Sequence, residues 1–322
     1  MRFALRRALQ AAIVIAVVAS LAFVLIHFAP GDPFPSALDD PHLTDALRAR
    51  LRTQYGFDEP IVVQYLRFLA SYARGELGWS VGHGRPVASV LATVLPRTVL
   101  LMAVGLGLGL VGGVALGTWQ AMHRGSRVER LTGFAALVVL SVPEFLVALL
   151  AIRLFAQGLQ WFPMSGLVDM RMHGSMDAWE RAGDVARHLA LPALTLAALV
   201  AAAVSRYHRA AMLAVLPEDF VRTARAKGLT ERRVILRHVL PNAIGTALSI
   251  AGLLIPAVFG GATIIEKFFA WPGMGLAMFD AAVGRDYQLV VAGVVLSGVF
   301  VAIGSAFADV IAARLDPRQA RR

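Results

Sequence analysis

The sequence predicts an all-α membrane protein: six transmembrane helices, with a small helical extracytoplasmic cap between helices 1 and 2. Three observations predict it. Of 322 residues, 57% are hydrophobic and only 16% are charged, whereas a soluble domain carries about 25% charged residues. The apolar residues gather in blocks long enough to span a bilayer, which takes about 20 residues of helix. The basic residues gather between those blocks with a strong bias to one side.

The first block runs from Ala8 to Ala29, behind Arg2, Arg6 and Arg7. It has no Ala-x-Ala cleavage pattern at its end, so it reads as an uncleaved span. The second block, Thr98 to Met122, carries no charge. The third, Leu131 to Phe155, contains Glu144 and Arg153. The fourth is shorter, about His188 to Ser205, with Pro192 near its start. The fifth, Ala243 to Ile265, contains Pro256. The sixth, Tyr287 to Ala308, stops at Asp309. Helices are expected throughout, because lipid offers no water to unpaired backbone groups.

Arginine and lysine in the short loops set the orientation. With a cytoplasmic N-terminus, the inner segments hold eighteen basic residues and the outer segments 153–187 and 267–287 hold six. Both termini are therefore expected in the cytoplasm. The net charge of +10 then follows from topology, and nucleic acid is not expected as a partner. The sequence has no cysteine, which excludes disulfides, thiolate metal sites and a cysteine nucleophile; no metal site is expected. Between the first two spans, Thr44 can cap a helix Asp45–Tyr55 that stops at Gly56, and an amphipathic helix fits Ile61–Ala73, ending at Gly75. These form the cap.

Two motifs imitate enzymes. Gly107-Leu-Gly-Leu-Val-Gly112 has the dinucleotide-fingerprint spacing but lies inside the second span, where no strand precedes it. The same stretch places Gly105, Gly109, Gly113 and Gly117 four apart, a small-residue ridge on which another helix can pack closely. Gly78-Trp-Ser80-Val-Gly82 has nucleophile-elbow spacing but lacks the strand-to-helix context. A phosphate-binding loop needs Gly-Lys before Ser or Thr. The two lysines follow Ala226 and Glu266, so ATP-driven work requires another chain. The chain itself is expected to bind no cofactor and to catalyse no reaction.

Glu144 lies in the middle of the third block. An acid there costs about 2.5–3.5 kcal/mol on insertion scales. It either lines a polar path or makes a structural hydrogen bond to a neighbouring helix. The loop 205–241 carries eight basic residues. Pro217-Glu218-Asp219 opens a helix over Glu218–Lys227 that stops at Gly228. Thr230 opens a second, from Glu231 to about Leu240, expected to stop at Pro241-Asn242. A helix–glycine–helix elbow of this length is more than a connector; a solvated loop holding lipid phosphates is the plainer alternative.

At this loop the sequence resembles the type-1 transmembrane subunit of ABC importers, and more closely the dipeptide/oligopeptide/nickel permease group. The broad motif of those permeases is Glu-Ala-Ala, three residues, Gly, nine residues, Ile-x-Leu-Pro. Here the register reads Arg222-Thr223-Ala224, then Gly228, then His238-Val239-Leu240-Pro241. The second Ala, the Gly and the Leu-Pro match; the Glu, the first Ala and the Ile are replaced. The fuller string from Asp219 to Leu229 is similar to the peptide-permease version. Pro30-Gly-Asp-Pro33, Leu95-Pro-Arg-Thr98, Ser141-Val-Pro-Glu-Phe145, Leu191-Pro-Ala-Leu-Thr195, the stretch Glu266–Gly275 and Asp316-Pro-Arg318 extend the likeness over nearly the whole length.

The resemblance implies half of a pore for short peptides in the bacterial inner membrane. The partners it implies are a second homologous permease, two ATPase subunits that carry ATP and Mg, and an extracytoplasmic solute-binding protein. It implies that Glu218, Asp219, Arg222, Thr223, Ala224, Arg225, Lys227 and Gly228 form the coupling helix that docks on an ATPase. Ser141, Glu144 and Phe145 would line the translocation path. Glu266, Trp271, Pro272 and Gly273 would form an outer re-entrant turn near the gate. The corresponding segments are 1–30 for the first helix, 31–95 for the cap, 96–310 for the permease domain and 311–322 for a cytoplasmic tail. A nickel or other small-solute importer and an ion-coupled secondary transporter are the alternatives. The latter calls for ionisable groups deep in several spans, and only Glu144 is so placed.

Overall fold

The computed structural model describes residues 2–28 and 59–315. The expected helix Asp45–Tyr55 with its cap Thr44 and stop Gly56, the string Pro30–Pro33, and Asp316-Pro-Arg318 lie outside the described residues. The helices are α1 (Arg2–Phe28), α2 (Ile61–Ala73), α3 (Val87–Met122), α4 (Arg127–Ser141), α5 (Glu144–Ala151), α6 (Ala178–Val215), α7 (Asp219–Ala226), α8 (Glu231–Val234), α9 (Leu240–Phe268), α10 (Met274–Val283) and α11 (Tyr287–Leu315). A two-residue hairpin pairs β1 (Trp79–Ser80) with β2 (Arg85–Pro86). Short π-helical turns continue α5 through Gly158 and join α8 to α9 over Ile235–Val239.

Among the described residues, Val87–Met122, Ala178–Val215 and Tyr287–Ser305 are long and apolar enough to cross a membrane. With α1, apolar from Leu9 to Val24, and the uninterrupted 29-residue α9, the helices are consistent with six spans. The third departs from the expectation of one straight helix: Arg127–Ser141 and Glu144–Gly158 meet at 111°. Val142 is extended (φ −83, ψ 132) and Pro143 follows it. Proline disfavours helix in the residue before it and supplies no N–H, so α4 ends there and α5 begins anew.

The chain forms two compact units, Met1–Arg97 with Gly273–Ile303, and Thr98–Pro272 with Gly304–Arg322. In the first, α2 spans Ile61–Ala73 as its apolar spacing predicts, and the chain turns at Gly75 with φ +78. Phe68, Leu69 and Tyr72 pack on Ala19 and Ala22 of α1, and Ser20 Oγ meets Tyr65 Oη at 2.6 Å. Its other face is not the polar one expected: Ile61, Val62 and Leu66 are exposed. Ser80 is fully buried and donates to Asp286 Oδ2 at 2.5 Å. Trp79 N donates to Gln288 Oε1 at 2.8 Å, and a Cβ at Gly78 would meet that oxygen at 1.8 Å. The hairpin is thus fastened to the start of α11. His83 Nδ1 lies 3.1 Å from Ser80 Oγ, but a hydrolytic triad needs its acid on the histidine. Here the acid instead accepts the serine's hydrogen bond, and the serine is shut from solvent.

In the second unit, α9 packs most extensively on α6, and α3 lies on α6 through the glycine ridge. A Cβ on Gly105, Gly109, Gly113 or Gly117 would meet Leu196, Val200, Val204 and the Ser205 carbonyl at 2.6–2.7 Å. Gly107 meets nothing within 4 Å, and Gly112 only Ala201 at 3.9 Å. The four-residue spacing is therefore a packing seam, and the fingerprint spacing is incidental. At one end of the seam Arg209 of α6 pairs with buried Glu129 of α4 at 2.8 Å, and Gln120 donates to Thr132 at 3.0 Å. Near the other end, buried Asp184 accepts from His173 at 2.8 Å and from Asp169 N at 3.0 Å, fastening the loop ahead of α6.

Candidate functional site

The elbow at residues 216–240 is built from a helix too short to stand alone. Helices of eight residues are marginal in water, so α7 depends on what it covers. Val221 and Ala224, three apart, turn inward and pack with Met212, Val234, Ile235 and Val239, all buried. Glu218 is the N-cap residue, so the helix begins at Asp219, one position later than the start read from sequence, and the acids Glu218 and Asp219 sit at the positive end of the helix dipole. Arg222 reaches back to Asp219 at 3.3 Å. Gly228 stops the helix as expected, with φ +76 and its N–H on the Arg225 carbonyl at 2.9 Å.

Across the glycine, Arg225 holds Glu231 with two hydrogen bonds, 3.1 Å from Nε and 2.7 Å from Nη2. That fork locks α7 to α8. It also holds the Glu231 carboxyl below the usual carboxylate range, through the hydrogen bond first and the guanidinium charge in addition. Thr230 occupies the N-cap position of α8, but its side chain makes no capping bond.

The helix after Thr230 does not stop at Pro241. Pro241 falls in the first turn of α9, directly after the wider π turn of Ile235–Val239. The π turn at Ile235–Val239 carries α8 straight into the fifth span, so any tilt of the elbow is delivered to α9. The outward face of α7 presents Phe220, Arg222, Thr223, Arg225 and Lys227. Ala224 is only 4% exposed: its small size lets α7 lie on its own chain, and it offers no surface to a partner. Sequence reading passed over Phe220, which is 42% exposed; an aromatic among arginines in a charged loop was its one signal.

The other expected sites are placed differently. Glu144 stands not in mid-helix but in the first turn of α5, where the helix dipole favours an acid. It is half-buried, and its carboxylate has no hydrogen-bond or ion-pair partner among the described residues. Phe145 stacks on Phe268 at 6.0 Å between ring centres. Ser141 spends its hydroxyl on the Leu137 carbonyl at 2.9 Å. Glu266 and Trp271 are wholly buried. Thr98 Oγ1 donates to Glu266 Oε1 at 2.5 Å, and Trp271 N to the Glu266 carbonyl at 2.9 Å. Ala270 turns the chain with φ +46, and Gly273 opens α10, a helix the sequence reading did not foresee. The 266–273 turn is thus a packed corner tying α9 to the start of the second span, and neither Glu266 nor Trp271 faces an open path.

Two family descriptions divide the chain. Residues 1–102 match "Binding-prot-dependent transport system membrane comp, N-term". Residues 113–321 match "Binding-protein-dependent transport system inner membrane component". The chain belongs to that family. This permease is 36% identical over 317 residues to the oligopeptide transport system permease protein AppB of Bacillus subtilis, covering 98% of each chain. It is 38% identical over 328 residues to OppB of Mycobacterium tuberculosis, again covering 98% of each. A glutathione transport system permease protein of Escherichia coli, GsiC, is 33% identical over 301 residues, 94% of this chain and 93% of that one. In fold, the permease is similar to a chain of the inward-facing MetNI methionine ABC transporter, with a TM-score of 0.53 at 15% identity over 69% of this chain and 96% of that one. It is therefore an inner-membrane subunit of the type-1 ABC importer class, and it works in association with other ABC subunits.

Proposed function

We propose that this permease forms half of a pore for short peptides, delivered by an extracytoplasmic solute-binding protein and driven by ATP hydrolysed on separate subunits. Peptide as cargo rests on the full-length relatives that are oligopeptide permeases. A second, homologous permease supplies the other half of the pore, and two ATPases sit below. Both termini and the elbow face the cytoplasm, where the basic residues concentrate.

The observation that carries the mechanism is the elbow. α7 is fixed inward by Val221 and Ala224 and locked by Arg225 and Glu231 to α8, which is continuous with α9. Its outer face offers Phe220 as an exposed apolar anchor, with Thr223 on the same side and Arg222 on the opposite flank, and aromatic and arginine side chains are the usual anchors of an interface. An ATPase that grips this face moves α9 as a lever, without this chain binding nucleotide. Glu144 and Phe145, beside the break in the third span, line the path for the peptide; Glu144 offers a carboxylate to a peptide amine.

The test is reconstitution. Complex containing this chain, its partner permease, the ATPases and the binding protein takes up short peptides on ATP addition, and this chain alone hydrolyses no ATP. Uptake that continues without this chain, or nucleotide hydrolysis by it in isolation, contradicts the proposal.

A further inference from the structure

Beyond the coupling face, the elbow carries a second surface. Arg232, Arg233 and Arg237, with Thr230 and Pro241, line a concavity of about 460 Å³ at the junction of α8 with α9. None of the three arginines makes an ion pair with a described residue, as is true of Arg206 and Lys227 in the same loop, whereas Arg209, Arg222 and Arg225 are paired. Arg233 and Arg237, four apart, are neighbours on one face of the helix, with Arg232 beside them, and π turns such as the one at Ile235–Val239 recur at functional sites.

Leu236 also lines this concavity, and it lines a second one of about 520 Å³. The second is apolar, walled by Leu110 and Val114 of α3 and by Ile244 and Leu248 of α9. Trp119 and His123 stack at 4.8 Å on its border. Tryptophan settles at the level of lipid headgroups. Leu236, 53% exposed, borders both concavities and so joins the arginines to the apolar groove, as suits a place where a charged group and a hydrocarbon chain meet.

We infer that the two concavities are one site for an anionic phospholipid, its phosphate held by Arg232, Arg233 and Arg237 and an acyl chain laid along the α3–α9 groove past Leu236. Basic pockets at the cytoplasmic ends of membrane helices suit such headgroups. An ATPase contact would account for the arginines and leave the apolar groove unused. The cytoplasmic leaflet as the source of the lipid rests on the orientation proposed above; the site itself does not.

The experiment uses the purified, complete transporter in nanodiscs of phosphatidylcholine with phosphatidylglycerol of the same chain composition. The complex is extracted into detergent, and retained lipid is read by native mass spectrometry. Wild type keeps phosphatidylglycerol and loses phosphatidylcholine. R232Q, R233Q and R237Q each lower retention by about fivefold, the share expected of one arginine at a membrane surface. Ile244→Trp, which fills the groove and leaves the charges in place, lowers it as well.

These arginines are exposed and have no described partner, so the single variants keep the assembled complex; its mass in the same spectrum confirms this. Unchanged phosphatidylglycerol retention in the arginine variants overturns the inference. So does loss of the ATPase subunits with the lipid still bound, which makes the arginines a protein contact. Displacement by glycerol phosphate as readily as by whole lipid reduces the site to an anion pocket and overturns the groove. Retention in detergent does not depend on sidedness. Vesicles with phosphatidylglycerol in one leaflet only test the orientation separately.

Discussion

Gly228 shows how much of the elbow rests on one residue's backbone. Its φ is +76, and nothing lies within 4 Å of where a Cβ would point. A substitution there therefore acts through backbone strain alone, about 1–2 kcal/mol for an L side chain in the left-handed region. Arg225 and Glu231 close the same corner from the side-chain level. Both are about half exposed, so solvent screening holds the pair to about 1 kcal/mol or less. Because the folded Glu231 carboxyl titrates below its unfolded value, its contribution is complete above the ordinary glutamate range near pH 4.3 and is lost as pH falls through the depressed value. Hydrogen exchange at the amides of residues 221–234 should therefore be flat from pH 7 to about 5, after correction for intrinsic rates, and lose protection below about 4. Glu231→Gln should start less protected and lack that acid step. An identical acid step in the variant would assign the transition to another group.

At the scale of elements, the α3–α6 seam gives a matched pair of tests. A Cβ on Gly109 would meet Val200 at 2.6 Å and the Ala197 carbonyl at 3.0 Å, while Gly107, two residues away and exposed, meets nothing. Gly109→Leu should lower the melting temperature of the complex, as overpacking costs about 1–3 kcal/mol. Gly107→Leu should leave it within error. Equal effects would mean that the seam is not where the helices touch. The seam was legible in the sequence because four-residue spacing has only one meaning on an apolar helix. The ends of the elements were less so. Hydropathy marks where lipid begins and not where a helix does, so α3 and α6 run well past the apolar blocks, to Val87 and to Ala178 and Val215. Prolines misled in both directions. Pro241, expected to stop a helix, lies in the first turn of α9, while Pro143 breaks the third span, which was expected whole; Pro192 lies inside an unbroken α6, as its place in the fourth block implied. The difference is set by the neighbours that satisfy freed carbonyls, which a single sequence does not display. For the same reason the burial of Ala224, Glu266 and Trp271 was invisible: a small residue, an acid and an aromatic in a polar stretch read as surface until the chain is folded around them.

For the whole molecule, the account makes this permease a mechanical intermediate. It has no Gly-Lys pair with which to form a phosphate loop, and its elbow joins an exposed face to a membrane helix without a break in the chain. Force applied at Phe220 and Arg222 crosses the Gly228 turn through the Arg225–Glu231 lock into α8, whose helix runs on into α9 and to the corner where Glu266 meets Thr98. The central claim is therefore coupling, and it is tested most directly in proteoliposomes holding the complete transporter. The measurement is the ratio of ATP turnover with peptide-loaded binding protein to turnover without it, taken alongside uptake. Wild type should show a ratio well above one. Phe220→Ala should lower the ratio by removing the anchor, and Gly228→Val should bring it close to one by distorting the elbow, in complexes whose subunit composition is intact. Wild-type stimulation and wild-type uptake in both variants would contradict the account.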